Sequence, residues 1–430
     1  MTDCLLGFRY WIDEPGNDAM WFWSENHALM FHTCQLLAGE LFPDEVFTNS
    51  GLTGRQMQAK AKNMLYDWFV TFRKEGFTEW NSSPYLPIDT LGFGSLYAFA
   101  QDPAMRELGR EGMDFAYYLL AVHSQQGIFA SSSGRTYIKE QFGNWSNCPS
   151  GLSWIGYGYG VPGHAGKGIT SYCLSDYEPP KEFAQWFSIP RGKEMICQTT
   201  QGNDGYVDLY TYKTADYMMT SANDFHPGEP GHQENPFQLT FNAVAQLWVT
   251  HPGERVLFGA ARPSYWAGNG TLPKVNQYKA FAGLIYDIAP EHPVDFTHLY
   301  LPSMEFDRCE VEGKWAFVQL GSAYAAVYCS NGMRMQDFGS NKDRECIAEG
   351  RRCIWLVRAA QADEFAAFED FKAAMRGAAL DADAEGRRYR FVDPVYGELR
   401  CQWGETLYVN DAPMQYSGFD NYGKLTMQEK

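Results

Sequence analysis

WFWSENHALMFHTCQLLAGEL, residues 21–41, reads as the start and body of a helix. Ser24 is a good N-cap residue, and Met30, Cys34, Leu37 and Leu41 recur at helical spacing, which predicts an apolar stripe along one face. Glu25, Asn26 and His27 then form the first turn, so an amide and an imidazole stand beside backbone N–H groups without a partner inside the helix. That end carries partial positive charge, which favours an anionic ligand such as a carboxylate and disfavours protonation of His27. The alternative is that Asn26 only starts a helix and His27 is a packed or solvated surface group.

On the N-terminal side, residues 1–20 are aromatic and turn-rich and read as a loop leading into this helix. On the other side a second helix begins at Thr53, where Thr53 and Gln56 form a capping box. Its stripe of Met57, Ala61, Met64, Leu65, Trp68, Phe69 and Phe72 runs to a stop at Gly76. A polar loop, Glu79 to Tyr85, joins it to a third helix over Pro87 to Gln101, with Leu91, Leu96, Tyr97 and Ala100 inward. Asp102-Pro103 opens a fourth, with Met105, Leu108, Gly112, Phe115, Leu119 and Val122 on one face. Short joins between consecutive helices imply antiparallel hairpins. The segment Ser131 to Tyr137 is too polar to be expected in a core, and from Asn144 to about Gln201 glycines (Gly156, Gly158, Gly160, Gly163, Gly166, Gly168) crowd between aromatics, predicting irregular structure.

Beyond about Met195 the period changes to that of strands: Tyr206 to Tyr217, Phe237 to Thr250, Arg255 to Gly259, Trp315 to Cys329, Cys346 to Ala359, Arg388 to Val392 and Glu398 to Val409, with one helix at Ala362 to Met375. Turn residues separate the strands, the pattern of antiparallel sheets packed face to face. The expected fold class is α+β multidomain, helices over residues 1–195 and an antiparallel β-sandwich over 196–430. Two polar loops of the sheet half, His232-Gln233-Glu234-Asn235 and Arg262-Pro263 with the following Trp266 to Gly270, are placed either to face the helices or to be hairpin tips in water.

Composition narrows the function. The formal charge of −17 repels nucleic acid and anionic membranes, so neither is an expected partner, and a polyanionic sugar would need a local cluster of cations. Aromatics make up 16% of the chain, with 13 Trp and 26 Tyr, and in a cleft such faces stack on sugar rings; a large-residue core is the other use for them. The ten cysteines lack C-x-x-C or Cys/His spacing and read as reduced packing residues. His226, His232, His251 and Asp224 match no ligand spacing, so neither a metal nor another cofactor is expected. The first residues show no basic region followed by an apolar run and no stretch approaches a membrane span, so a cytoplasmic location is expected unless the true N-terminus precedes Met1.

Taken together, Asn26-His27 at a helix start, Tyr85 two helices later and the histidine-bearing sheet loop His232-Gln233 resemble the heparinase II/III-like and alginate lyase group of polysaccharide lyases. The resemblance implies an α/α toroid, here shortened to about two hairpins, joined to a β-sandwich, and β-elimination on a uronate-containing poly- or oligosaccharide, a carbon–oxygen lyase reaction. In that scheme Asn26 and His27 neutralise the substrate carboxylate by hydrogen bonding, with Arg135 as a further candidate. Tyr85 is the acid and base, and neutral His27 can share proton removal. His232 closes the site from the sheet side. Glu25, Trp23, Trp80, Tyr137, Gln233, Arg262 and Trp266 are the candidate substrate contacts, Tyr137 being a second phenol. Two other functions fit the same chain: a glycoside hydrolase using paired carboxylates from Glu25, Glu79 and Asp89, and a carbohydrate-binding protein without catalysis.

Overall fold

The computed structural model describes residues 1–141, 147–162, 167–202 and 206–430, so Asn144, Gly163 and Gly166 lie outside the described residues. It is an α+β chain, a helical N-terminal part followed by antiparallel sheets. Four long helices, Glu25–Leu41, Gly54–Glu75, Leu86–Phe99 and Pro103–Val122, build the helical part. The second is bounded as its sequence predicts: Thr53 and Gln56 form the reciprocal capping box, and Gly76 ends the helix at φ 66°. Asp102 caps the fourth by accepting from the Ala104 N–H at 2.8 Å, with Pro103 next to it. The helices approach closely where side chains are missing. A Cβ on Gly39 would lie 2.7 Å from the Gly54 carbonyl oxygen, and one on Gly112 would lie 2.3 Å from the Phe93 ring. Phe93 sits at the centre of the resulting core, within 6 Å of the rings of Trp68, Phe69 and Phe72.

Several local expectations are corrected. The helix Glu25–Leu41 does not bury Met30, Cys34, Leu37 and Leu41; Cys34 and Leu41 are exposed, and the buried face is Leu29, His32, Thr33, Leu36 and Gly39, with Gln35 and Glu40. Tertiary contacts that a hydropathy pattern does not register cover this face: Glu40 accepts from the Gln101 N–H at 2.9 Å, Gln35 Nε2 reaches Met57 Sδ at 3.6 Å, and His32 packs against the Trp11 ring. A short helix, Thr2–Gly7, stands where a loop was expected, and further short helices, Ser150–Tyr157, Ile169–Cys173 and Ala184–Phe187, punctuate the glycine-rich segment.

The largest sheet runs from Arg334–Met335 through Glu345–Glu349, Phe296–Tyr300, Gln246–Thr250, Phe237–Thr240, Met218–Asn223, Val207–Lys213 and Lys193–Gln201 to Lys424–Glu429. A second, of Arg308–Glu312, Trp315–Leu320, Ala323–Cys329, Arg352–Gln361, Phe281–Asp287 and Lys274–Tyr278, packs on it. Alternate residues of the two sheets (Met219, Leu247 and Leu299 with Leu284, Val327 and Trp355) share one core, and the Trp355 indole donates to Thr297 Oγ1 at 2.9 Å. A smaller sheet from Leu380–Asp383 to Ala412–Pro413 covers the outer side, with Phe391 stacked on Phe281. Arg255 to Gly259 is a turn and not a strand, because the chain there bends toward the helices; the late helix is Phe368–Gly377. No helix among the described residues is long and apolar enough to cross a membrane.

What joins the halves is the segment Ser131 to Tyr137. It is buried over Ser131, Ser132, Ser133 and Thr136, contrary to its polar sequence, because its backbone finds partners on both sides. Ser133 and Asn235 exchange backbone hydrogen bonds at 2.9 and 2.7 Å, the Thr136 N–H donates to the Gln233 carbonyl at 3.0 Å, and the Gly134 N–H donates to the Trp80 carbonyl at 2.8 Å. The buried Lys213 amine, held by burial well below the ordinary lysine range, adds a second tie, donating to the carbonyls of Ala121 and Trp186 at 2.9 and 2.7 Å near the end of the helix Pro103–Val122.

Candidate active site

A groove lies where this junction meets the start of the helix Glu25–Leu41. Its wide part, about 830 Å³, is lined by Asn26, His27, Tyr85, Tyr137, Lys139, Glu140, Lys167, Gln233 and the loop Gly259–Arg262. A narrower part of about 310 Å³ shares Asn26, His27, Tyr85, Tyr137 and Arg262, and adds Trp21, Ser24, Glu79 and Arg135.

Ser24 occupies the N-cap position but does not cap the backbone. Its hydroxyl turns to the side chains, 3.2 Å from Asn26 Oδ1 and 2.5 Å from His27 Nδ1, with a single hydrogen to give to one of the two. Asn26 is thereby left with its amide N–H₂ for a ligand, and His27 with Nε2. When Ser24 donates to Nδ1, the neutral ring carries its hydrogen on Nε2. Burial holds His27 below the ordinary imidazole range, so the ring is neutral near pH 7.

Two phenols line the same groove. Tyr85 enters the helix Leu86–Phe99 from its N-cap position, Tyr137 follows the junction segment, and their hydroxyls are 3.0 Å apart. The Arg135 guanidinium lies over both rings, 5.6 Å from the centre of Tyr85 and 5.7 Å from that of Tyr137, with Nη2 3.5 Å from the Tyr137 oxygen. Arg262 lies 5.6 Å over Tyr137 from the sheet side. Glu79 balances Arg135 at 3.7 Å. Burial, then the bond to Tyr137, pushes the Tyr85 phenol up. Burial also pushes Tyr137 up, but the Tyr85 hydrogen bond, Arg135 and Arg262 outweigh it and hold Tyr137 below the ordinary phenol range.

Behind the helix start is a carboxylate group. Glu25 accepts from the backbone N–H of Thr78 at 2.8 Å and of Glu79 at 3.3 Å, which fastens the loop carrying Tyr85 to the helix carrying Asn26. Burial pushes Glu25 up to about 7, and burial together with the charges of Glu25 and Glu79 pushes Asp89 well above the ordinary carboxylate range.

The groove brings together Asn26, His27, Tyr85, Arg135, Tyr137, Gln233 and Arg262 from the sequence candidates. Gln233 is fixed there by donating to the Thr136 carbonyl at 2.8 Å. The remaining candidates lie elsewhere. His232 is exposed and lines neither part of the groove. Trp80 is 1% exposed and packs edge-on against Phe225, and Trp266 is 2% exposed and stacks on His298, so both are core rings. Glu25 and Trp23 line a separate hollow of about 400 Å³ on the other side of the helix start. Sequence reasoning missed Trp21, which is 62% exposed at the groove edge, and the cations Lys139 and Lys167. Trp21 adjoins the quoted helix start, which was the available signal; nothing local marks the two lysines.

No known protein family matches the chain, and no curated protein matches it by sequence. Among solved structures, a heparinase III gene product aligns with a TM-score of 0.41 and 10% identity, over 94% of this chain and 66% of that one. The chain therefore spans just under two thirds of the length of that protein.

Proposed function

We propose that the groove carries out β-elimination on a uronate-containing oligo- or polysaccharide. The C5 hydrogen of a uronate is very weakly acidic while its carboxylate keeps a full negative charge, so the first requirement is to offset that charge. The amide of Asn26 and Nε2 of His27, at the positive end of a helix, are donors suited to it. Tyr85 lines the same groove and, with the phenol beside it, supplies the proton transfers at C5 and O4. The observation that carries the reading is that an uncharged amide–imidazole couple and a phenol held under a guanidinium line one groove.

The charge balance supports it too. In a chain of net charge −17, the groove gathers Arg135, Arg262, Lys139 and Lys167, the local cation cluster that an acidic sugar requires. A hydrolase using Glu25, Glu79 and Asp89 is disfavoured because only Glu79 of the three lines the groove, and Asp89 is buried. The test is incubation with oligouronates while following ultraviolet absorbance of the C4=C5 double bond. Absorbance rising with each new reducing end supports elimination; new reducing ends without absorbance, or binding without turnover, overturn it.

A further inference from the structure

We infer that the two phenols divide the work: Tyr137 is the base that takes the C5 hydrogen, Tyr85 is the acid that protonates the leaving oxygen, and the hydrogen bond between them resets the pair. This rests on the elimination reading and goes beyond it by assigning a second catalytic group.

The asymmetry of the cations carries the assignment. Tyr85 has one guanidinium over its ring, that of Arg135. Tyr137 has two among the described residues, Arg135 and Arg262; Arg135 serves both phenols, its Nη2 3.5 Å from the Tyr137 oxygen, so Arg262 makes the difference. Once the pair has given one proton to solvent, the remaining proton, shared across 3.0 Å, resides on Tyr85 and the negative charge on Tyr137, where two positive groups meet it. Among the described residues, the other charged and titratable groups on the groove do not reverse this. Glu79 is spent on Arg135, Glu140 is engaged by Lys139 at 3.1 Å, Lys167 adds positive charge, and His27 is neutral. The opposed directions in which the two phenols are displaced, Tyr85 up and Tyr137 down, agree with the geometry.

The step balances. The Tyr137 phenolate takes the C5 hydrogen; the electron pair of that C–H bond becomes the second bond between C4 and C5; the C4–O4 bond breaks, and O4 takes the Tyr85 proton. Tyr137 is then a phenol and Tyr85 a phenolate. One proton crossing the hydrogen bond between them restores the starting state without solvent.

Two measurements test this. The first is a spectrophotometric tyrosinate titration of the unliganded protein, in which one of the 26 tyrosines ionises ahead of the rest. That early phenol should vanish in Tyr137→Phe and remain, moved upward by loss of the Tyr85 hydrogen bond but still ahead of the rest, in Tyr85→Phe; the reverse pattern, or its presence in both or neither variant, overturns the assignment. The second uses a uronate bearing nitrophenoxide at C4, which leaves without a proton. Tyr85→Phe should lose about 100- to 10,000-fold on an ordinary oligouronate and recover to within about tenfold of wild type on the activated substrate, whereas Tyr137→Phe should lose as much on both. Equal recovery of the two variants, or recovery of Tyr137→Phe alone, overturns the assignment while elimination by wild type stands. No unsaturated product from wild type overturns both.

Discussion

Replacing Arg135 by Met keeps the length of the side chain and removes the charge shared by the two phenols. In the wild-type groove Nη2 is 3.5 Å from the Tyr137 oxygen. Two unit charges at that separation interact by about 5 kcal/mol at an effective dielectric of about 20 and by about 1 kcal/mol in bulk water. The Arg135 side chain keeps only 18% of its surface exposed, but the groove opens to solvent, so a value near 2 kcal/mol is expected. That corresponds to between about one and two pH units. The sign follows from the chemistry: the base is active as a phenolate, the guanidinium favours the phenolate, and its loss moves the acid limb of the pH–rate profile upward. Glu79 loses its ion-pair partner in the same variant, and its charge adds to the upward movement. The assay is the initial rate of C4=C5 absorbance from a defined oligouronate across pH, beside the tyrosinate titration of the same proteins and their thermal midpoints. Arg135→Lys, which keeps a charge without the planar fork, should fall between the two. A rate lowered by the same factor at every pH, with the acid limb and the early tyrosinate unmoved, would refute the reasoning.

Glu25→Gln should change the pH dependence of stability. Burial raises the Glu25 carboxyl from 4.5 to about 7, so the folded state holds a proton that the unfolded chain has released. Its contribution is fully present below pH 4.5 and is lost as pH rises toward and through 7, by about 3 kcal/mol at most. Urea midpoints should therefore fall less between pH 5 and 8 in the variant, and parallel curves contradict this. Trp21→Ala should raise KM about fivefold to tenfold with kcat little changed, because an exposed ring at the groove edge adds sugar-stacking area away from the reacting carbons; an unchanged KM removes Trp21 from the substrate path. Two phenols in hydrogen-bond contact act on one face of the ring, so uronates with the C5 hydrogen and O4 on the same face, the glucuronate and mannuronate arrangement, should be cleaved, and their C5 epimers more slowly. Equal rates on oligomannuronate and oligoguluronate would contradict that geometry.

The parts of the fold legible in the sequence are those decided locally. Thr53 with Gln56, Gly76 and Asp102-Pro103 mark helix ends through contacts made within a turn, and Met105 to Val122 carries its own period. The face of the helix Glu25–Leu41 was misread because His32, Thr33, Gln35 and Glu40 are buried by partners distant in sequence. Ser131 to Tyr137 was misread for the same reason, its polar backbone being satisfied by Asn235, Gln233 and Trp80. For the groove, Asn26 and His27 were visible because they share one helical turn. The Tyr85–Tyr137 contact joins residues 52 apart, and the second cation over Tyr137 comes from the sheet half, so no spacing announces either. Trp80, Trp266 and Trp21 show the limit of composition: the first two are core rings and the third stands at the groove, a difference that only burial reveals.

The central claim is that Asn26 and His27 act by masking a carboxylate. It is tested most directly by comparing Asn26→Ala with wild type on one oligouronate presented as free acid and as methyl ester, each followed by C4=C5 absorbance. The ester carries no charge to offset, so the variant should lose about 100- to 1,000-fold on the acid and less than about tenfold on the ester. Equal losses on the two substrates would contradict the claim.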